Sequence, residues 1–350
     1  MKIAAVASAF PKHHYKQEVL VAALQKYFGE KLPNPQRLER IYSHLGVEGR
    51  YLTLPLGAYY EIASWGEANK AFIETAPVLG QESLCRALAR AGLGAGEIAA
   101  LLVVSVTGVA SPSLDARVIN LMGLSPNIKR MPIFGLGCVA GAWGIARAAD
   151  YVRAYPGQVA ALIAVELCSL TIQRDDLSIA NLISAGLFGD GAAAVLVTGS
   201  ERDAEGPEIL ATRSVFYPQT EHVMGWDISE KGFRIVLSPE VPAMAERHLA
   251  HDVDEFLASM DLTRKDIGSW IMHSGGPKVL EAVAAALNLP EGALDASWDS
   301  LRQVGNISSV SVLLVLEEVM NHHRPAPGTL SLLAAMGPGF CSELVLLRWP

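Results

Sequence analysis

The chain has 350 residues, about half of them hydrophobic, with 28 Lys and Arg against 36 Asp and Glu for a formal net charge of −8. That length and apolar content suit one large body or two packed halves around an extensive core, and the acidic balance excludes a general nucleic-acid binder, which needs a basic footprint. Four cysteines (Cys85, Cys138, Cys168 and Cys341) stand far apart, with no CxxC pair and no Cys/His metal spacing, so a reduced, cytoplasmic protein with free thiols and no metal site is expected.

In chain order, residues 1–6 read as a first strand; the apolar run is too short for a signal-peptide core and soon meets Pro11 and Lys12. The longest apolar stretch, residues 98–110, is broken by Ser105, Thr107 and Gly108 and falls short of the ~20 residues a membrane span needs. Within it, residues 101–106 read as a buried strand. Gly135-Leu136-Gly137-Cys138-Val139-Ala140-Gly141 is a glycine-marked turn feeding a helix to about Arg153, which Pro156-Gly157 ends. Residues 159–165 form the next strand, with Glu166 at its end as either a structural partner or a polar group at a cavity edge. Leu187-Phe188-Gly189-Asp190-Gly191 sets an aromatic ring among small residues, or is hairpin punctuation around Asp-Gly. Residues 192–197 read as a strand.

The clearest composition break is the charged turn at residues 199–207, which divides the chain into halves 1–205 and 206–350. In the second half a short strand at 270–272 leads to His273-Ser274-Gly275-Gly276-Pro277, with Pro277 suited to a first helical position. Gly305-Asn306-Ile307-Ser308-Ser309 opens a helix to about Met320, ended by Asn321 and Pro325. Strands at 329–335 and 343–347 flank the turn Gly337-Pro338-Gly339-Phe340. The halves repeat a pattern: Cys138 lies 32 residues after Val106 and Asn306 lies 33 after His273, each followed by a helix and two strands. Strands alternating with helices at this spacing predict a layered α/β fold with an internal duplication, and Cys138 and Asn306 are expected at equivalent helix starts.

Each of three residues has a structural alternative. Cys138 is a buried structural thiol, or a nucleophile whose pKa the helix amino terminus lowers toward neutrality. His273 satisfies a turn, or pairs with a thiolate and donates to an oxyanion. Asn306 is a helix cap, or a neutral donor. Together, thiol, imidazole and carboxamide form a set for acyl transfer through a thioester.

Gly-Cys-Val-Ala-Gly, Leu-Phe-Gly-Asp-Gly-Ala-Ala-Ala, His-Ser-Gly-Gly-Pro, Gly-Asn-Ile-Ser-Ser and Gly-Pro-Gly-Phe occur in one order over residues 100–350, and in this the chain resembles the type III polyketide synthases, the chalcone-synthase-like branch of the thiolase superfamily. The resemblance implies a five-layered αβαβα fold from two similar halves, a homodimer, no permanently bound cofactor, and acyl-CoA and malonyl-CoA as substrates. It maps the nucleophile onto Cys138 in the half 1–205, and the catalytic histidine and asparagine onto His273 and Asn306 in the half 206–350. A gatekeeping phenylalanine falls on Phe188, the cyclisation loop on Gly337, Pro338 and Gly339, and pocket positions on Thr171 and Glu166. Gly275, Gly276 and Lys278 are expected along the pantetheine arm. Arg37, Arg40 and Arg50 lie in a region where the family places CoA-contacting cations, or they form a solvated helix face.

Departures bear on the product. Ile235 stands for a second gatekeeping phenylalanine, Val106 for a threonine, Ser111 for a methionine that reaches the partner subunit, and Met336 for a phenylalanine. These argue against chalcone, and the Phe-Gly-Leu-Gly-Cys-Val-Ala-Gly context is similar to bacterial alkylpyrone and alkylresorcinol synthases. A ketoacyl-ACP synthase III shares the triad but condenses once and typically shows His-Gln-Ala-Asn. A non-catalytic thiolase-fold subunit usually lacks the nucleophile.

Overall fold

The computed structural model describes residues 1–29 and 35–350; the side chains of Pro35 and Arg37 also lie outside the described residues. Nine strands form one sheet in the order Ile267–Met272, Leu330–Gly337, Cys341–Arg348, Glu208–Phe216, Lys2–Ala9, Asp190–Thr198, Val159–Leu167, Ile98–Val104 and Lys129–Ile133. A single residue pair, Lys2 with Glu208, joins the first four strands to the last five. The sheet is therefore two sheets joined at one corner, where Ile3 N–H also donates to Pro207 O and Ile209 N–H to Met1 O.

Alternation of side chains along these strands builds the layers. Ala100, Leu102 and Val104 face one apolar cluster while Leu101 and Val103 face another. Leu333 and Ala335 join the same central cluster from the second sheet, and Leu332 and Ala334 point away. The central cluster holds the helices Ala140–Ala154 and Ser311–Asn321 between the sheets. Helices Trp65–Ala91 and Leu114–Met122 cover one outer face, and Ala250–Ala258 with Pro277–Leu287 cover the other. Helix, sheet, helix, sheet, helix is the five-layered αβαβα thiolase-like architecture. Strands Val159–Leu167 and Asp190–Thr198 are buried on both faces, which is why their sequences run almost unbroken in apolar residues.

The central helices approach closely. A Cβ at Gly141 would meet Ser309 O at 2.2 Å, so only glycine lets the two helix starts cross there. That contact sets the start of one helix against the start of the other and places both beside the pocket described below.

The duplication is imperfect. Between residue 106 and Cys138 the chain forms the helix Leu114–Met122 and the edge strand Lys129–Ile133; between His273 and Asn306 it forms two helices, Pro277–Leu287 and Asp295–Val304. Each central helix follows a 3₁₀ turn, Gly137–Val139 in one half and Ser308–Val310 in the other. Both turns begin on a left-handed residue, Gly137 at φ 53° and Ser308 at φ 47°. The equivalent of Cys138 is therefore Ser309. Asn306 lies three residues earlier, which corrects the expectation that Cys138 and Asn306 occupy matching helix starts.

Candidate active site

His273 continues the strand Ile267–Met272: its N–H donates to Ala334 O at 3.0 Å. Its side chain is buried, and Nδ1 has no hydrogen-bond partner among the described residues. Gly275 keeps room beside the ring, since a Cβ there would sit 3.3 Å from Cδ2 and 3.5 Å from Nε2.

Cys138 is the middle residue of its 3₁₀ turn and is buried. Gly137 holds a left-handed conformation that other residues rarely adopt, and a Cβ on it would meet Pro338 at 2.8 Å. The Gly337-Pro338 corner thus packs directly on the turn that carries Cys138. The Cys138 thiol lies 3.6 Å from Ser308 Oγ.

Asn306 pairs through its backbone with the Phe188 segment: Asn306 N–H donates to Leu187 O at 3.0 Å and Gly189 N–H donates to Asn306 O at 2.9 Å. Asn306 Oδ1 accepts from Ser308 N–H at 2.7 Å and from Ser311 Oγ at 3.4 Å. A backbone N–H fixes which end of the amide is oxygen, so Nδ2 is the end left to donate. It donates to Gly275 O at 3.1 Å. The side chain forms a local Asx-type turn; neither the 3₁₀ turn nor the helix after it has a side-chain cap.

Burial dominates the electrostatics. It pushes the Cys138 thiol up to about 12, with Ser308 and Asn306 pulling the other way and Glu166 adding to the rise. Burial likewise pushes His273 down to about 4. Burial thus favours the neutral form of each group, thiol and imidazole, against the expected near-neutral thiolate. Glu166 is fully buried and is pushed up to about 7 by desolvation. Its Oε1 accepts from Ser309 Oγ at 2.6 Å, and Oε2 accepts from Thr107 Oγ1 at 2.8 Å, Val106 N–H at 3.0 Å and Ser105 Oγ at 3.3 Å.

Two cavities meet at Cys138. The larger, about 560 Å³, is lined by Cys138, His273, Asn306 and Phe188, and also by Gly275, Gly276, Lys278 and Met336. The smaller, about 40 Å³, is lined by Cys138, Phe188, Thr171, Ile235, Pro338 and Val106. Cys138, Phe188, Met224 and Leu237 line both. Glu166, Gly337 and Gly339 line neither, although Gly337-Pro338 still shapes the site by packing on the turn.

Met224, Leu237, Trp226 and Cys168 also line these cavities and were not singled out from sequence. Three of them sit on the two-stranded ribbon Met224–Ser229/Gly232–Leu237, where Ile235 pairs with Trp226 and Leu237 with Met224. Gly232, two residues before Arg234 in the sequence, is the turn residue that could have signalled this ribbon.

Arg50 corrects another expectation. It is only 1% exposed and lines neither cavity, so it does not meet a solvated phosphate. Arg40 is exposed on the helix Pro35–Ser43, and the Arg37 side chain lies outside the described residues. No helix among the described residues is long and apolar enough to cross a membrane.

Residues 1–201 match the family model for the N-terminal domain of chalcone and stilbene synthases, and residues 208–349 match that for the C-terminal domain. A 1,3,6,8-tetrahydroxynaphthalene synthase of Streptomyces peucetius subsp. caesius is 49% identical over 350 residues, covering 99% of this chain and 93% of the relative. A phloroglucinol synthase of Pseudomonas fluorescens is 30% identical over 347 residues, covering 97% of each. The crystal structure of 1,3,6,8-tetrahydroxynaphthalene synthase from Streptomyces coelicolor A3(2), a bacterial type III polyketide synthase, superposes with a TM-score of 0.94 at 32% identity, covering 100% of this chain and 99% of that one. PKS-I from the brown alga Ectocarpus siliculosus superposes with a TM-score of 0.91 at 30% identity, covering 100% and 98%.

Proposed function

The chain belongs to the chalcone and stilbene synthase family and is a type III polyketide synthase, and from that premise we propose that it condenses malonyl-CoA iteratively on Cys138 and closes the product into a polyhydroxylated aromatic of the tetrahydroxynaphthalene kind. The observation that carries the product class is the 49% identity to such a synthase along nearly the whole of both chains.

The cycle begins with Cys138 as thiol and His273 as neutral imidazole, a pair in which His273 accepts the thiol proton as sulfur attacks the starter thioester. Sulfur–acyl bond formation expels the CoA thiolate, which takes up the proton. Malonyl-CoA then breaks its carbon–carboxylate bond, releasing CO₂ and leaving the electron pair as an enolate on the thioester oxygen. His273 and the Asn306 amide are the donors for that oxygen. A neutral carboxamide suits this role because a carboxylate at 306 would repel both malonate and enolate. Phe188 presents an apolar surface that disfavours the carboxylate relative to neutral CO₂. The enolate carbon attacks the Cys138 thioester, expels the thiolate and leaves a chain two carbons longer on CoA, ready to reload. Intramolecular carbon–carbon closure ends the sequence.

Gly275, Gly276 and Lys278 sit along the larger cavity and are the proposed contacts of the pantetheine arm, with Arg40 nearby for phosphate. Thr171 and Ile235 shape the inner pocket. The functional unit is proposed to be a homodimer.

A second reading has its own observation. Val241, Ala245, Leu249 and Val283 give the larger cavity an apolar wall, which favours a fatty acyl starter and an alkylpyrone or alkylresorcinol product. Incubation with malonyl-CoA alone, and then with acyl-CoA starters of graded length, separates the readings by product mass. An aromatic product from malonyl-CoA alone supports the first; product only when a long-chain starter is added supports the second. A folded protein that releases no CO₂ under any condition contradicts both, and a single condensation with no reloading points to a ketoacyl-synthase-like enzyme.

A further inference from the structure

Arg50 lies on the strand Gly49–Leu52, opposite Tyr15 of His13–Lys16, and heads the fully buried side chains by volume. A buried guanidinium is costly unless its donors are used. Among the described residues no carboxylate comes within ion-pair distance of it. The carboxylate that acts on it electrostatically, Asp190, is already engaged by Thr53 and Ser169 through both backbone and side chain.

What Arg50 does hold is backbone and one amide. Nη1 donates to Phe188 O at 2.5 Å, and Nε donates to Gln17 Oε1 at 3.3 Å. Gln17 Nε2 in turn donates to Gly186 O at 2.8 Å. Arg50 and Gln17 thus grip both sides of the turn that carries Phe188, at carbonyls 186 and 188. The arginine stem does the complementary work on the other strand of the bridge. Gly305, immediately before Asn306, adopts φ 71°, and a Cβ there would lie 3.0 Å from Arg50 Cδ and 2.5 Å from Leu187 O. On the facing strand, a Cβ at Gly189 would lie 2.7 Å from Val304 O and 3.6 Å from Arg50 Cβ. One side chain therefore packs against both strands of the Phe188–Asn306 bridge and hydrogen-bonds one of them.

We infer that Arg50, with Gln17, is a positioning residue that fixes the Phe188–Asn306 bridge, and so sets the asparagine donor and the phenylalanine wall for the decarboxylation step. This deepens the proposed function and rests on it. Cys138 is held by a different turn, packed on Pro338, so starter loading depends much less on Arg50 than malonyl decarboxylation does. A displacement of about 1 Å in a catalytic donor can cost as much as 10²-fold in rate.

The test compares two partial reactions. Starter loading is read by intact-protein mass after rapid mixing with an acyl-CoA, and decarboxylation by CO₂ release from malonyl-CoA in a Cys138→Ala background, where condensation is absent. Arg50→Met keeps the stem and removes the donors. It is expected to slow decarboxylation by about tenfold or more, mostly in kcat, while loading stays within about threefold and thermal stability is measured alongside. Gln17→Leu is expected to show the same bias with a smaller loss, and carries the test alone should Arg50→Met fail to fold. Unchanged decarboxylation, or equal loss of both reactions, overturns the inference. If Cys138→Ala itself releases no CO₂ but the unmodified enzyme makes product, decarboxylation is followed in single turnover on the acylated enzyme. If the unmodified enzyme neither loads nor decarboxylates, it is the proposed function that fails.

Discussion

The two central helices begin in the same way and end up doing different work. In the first half the turn Gly137–Val139 turns Cys138 into two cavities; in the second, Ser308–Val310 turns Ser309 onto the buried carboxylate of Glu166. Backbone geometry is shared down to the left-handed first residue, so the fold supplies two equivalent elbows. Chemistry is assigned by what surrounds each. The first elbow meets Phe188, the ribbon and open space; the second meets Glu166 and its donors from Ser105, Val106 and Thr107. Asn306 belongs to neither elbow and enters the site from a bridge that Phe188 completes.

The comparison breaks most visibly if the elbows are exchanged. Cys138→Ala is expected to lower product formation by a thousandfold or more, on the order seen when a covalent nucleophile is lost, and adding Ser309→Cys in that background should restore nothing. Product assays on both variants check this; recovered turnover would mean that the second elbow also reaches the cavity. Asn306→Ala comes next. Loss of one oxyanion donor costs about 10²–10³ in rate, and here it should fall on malonyl decarboxylation more than on loading. Equal loss in both would return Asn306 to a purely structural part.

Stability tests are gentler. His273 is held below its ordinary value by burial, so the unfolded chain binds a proton that the folded chain refuses. Stability should therefore decline as pH falls from 6.5 toward 4, by roughly 2 kcal/mol from this group between pH 7 and pH 5, and His273→Gln should flatten that slope in denaturant titrations. Glu166 acts in the opposite sense. Its raised pKa keeps a proton on the folded protein, so its stabilisation is complete below the ordinary carboxyl value and fades as pH rises through about 7. Ser309 Oγ favours the ionised form, so Ser309→Ala should cost about 1 kcal/mol at pH 8 and less at pH 5. A cost that does not grow with pH would separate Ser309 from Glu166.

Much of this was readable in the sequence. The apolar runs at 159–165 and 192–197 announced fully buried strands, and the glycine-flanked cysteine, histidine and asparagine announced a common site; the structure brings all three to one cavity. The strand expected at residues 101–106 ends at Val104, because Val106 N–H leaves the sheet to donate to Glu166. The false equivalence of Cys138 and Asn306 has a plain cause. Counting residues gives spacings of 32 and 33, but the first interval holds a helix and a strand rising about 3.3 Å per residue, whereas the second holds two helices rising about 1.5 Å per residue. Equal counts therefore reach different places. Arg50 is not a surface cation, and only packing shows it: its donors end on the Phe188 carbonyl and the Gln17 side-chain amide. The ribbon at 224–237 escaped because its strands lack a regular alternation: exposed residues bunch at Asp227, Ile228 and Ser229 instead of recurring at every second position.

The central claim is that one elbow alone carries the growing chain. Mass spectrometry of the quenched enzyme after brief exposure to malonyl-CoA, followed by peptide mapping, tests it directly. An acyl increment on the peptide holding Cys138, absent from those holding Cys168 and Cys341, is the predicted result. An adduct on either of those thiols, or product made with no adduct on Cys138, would contradict the account.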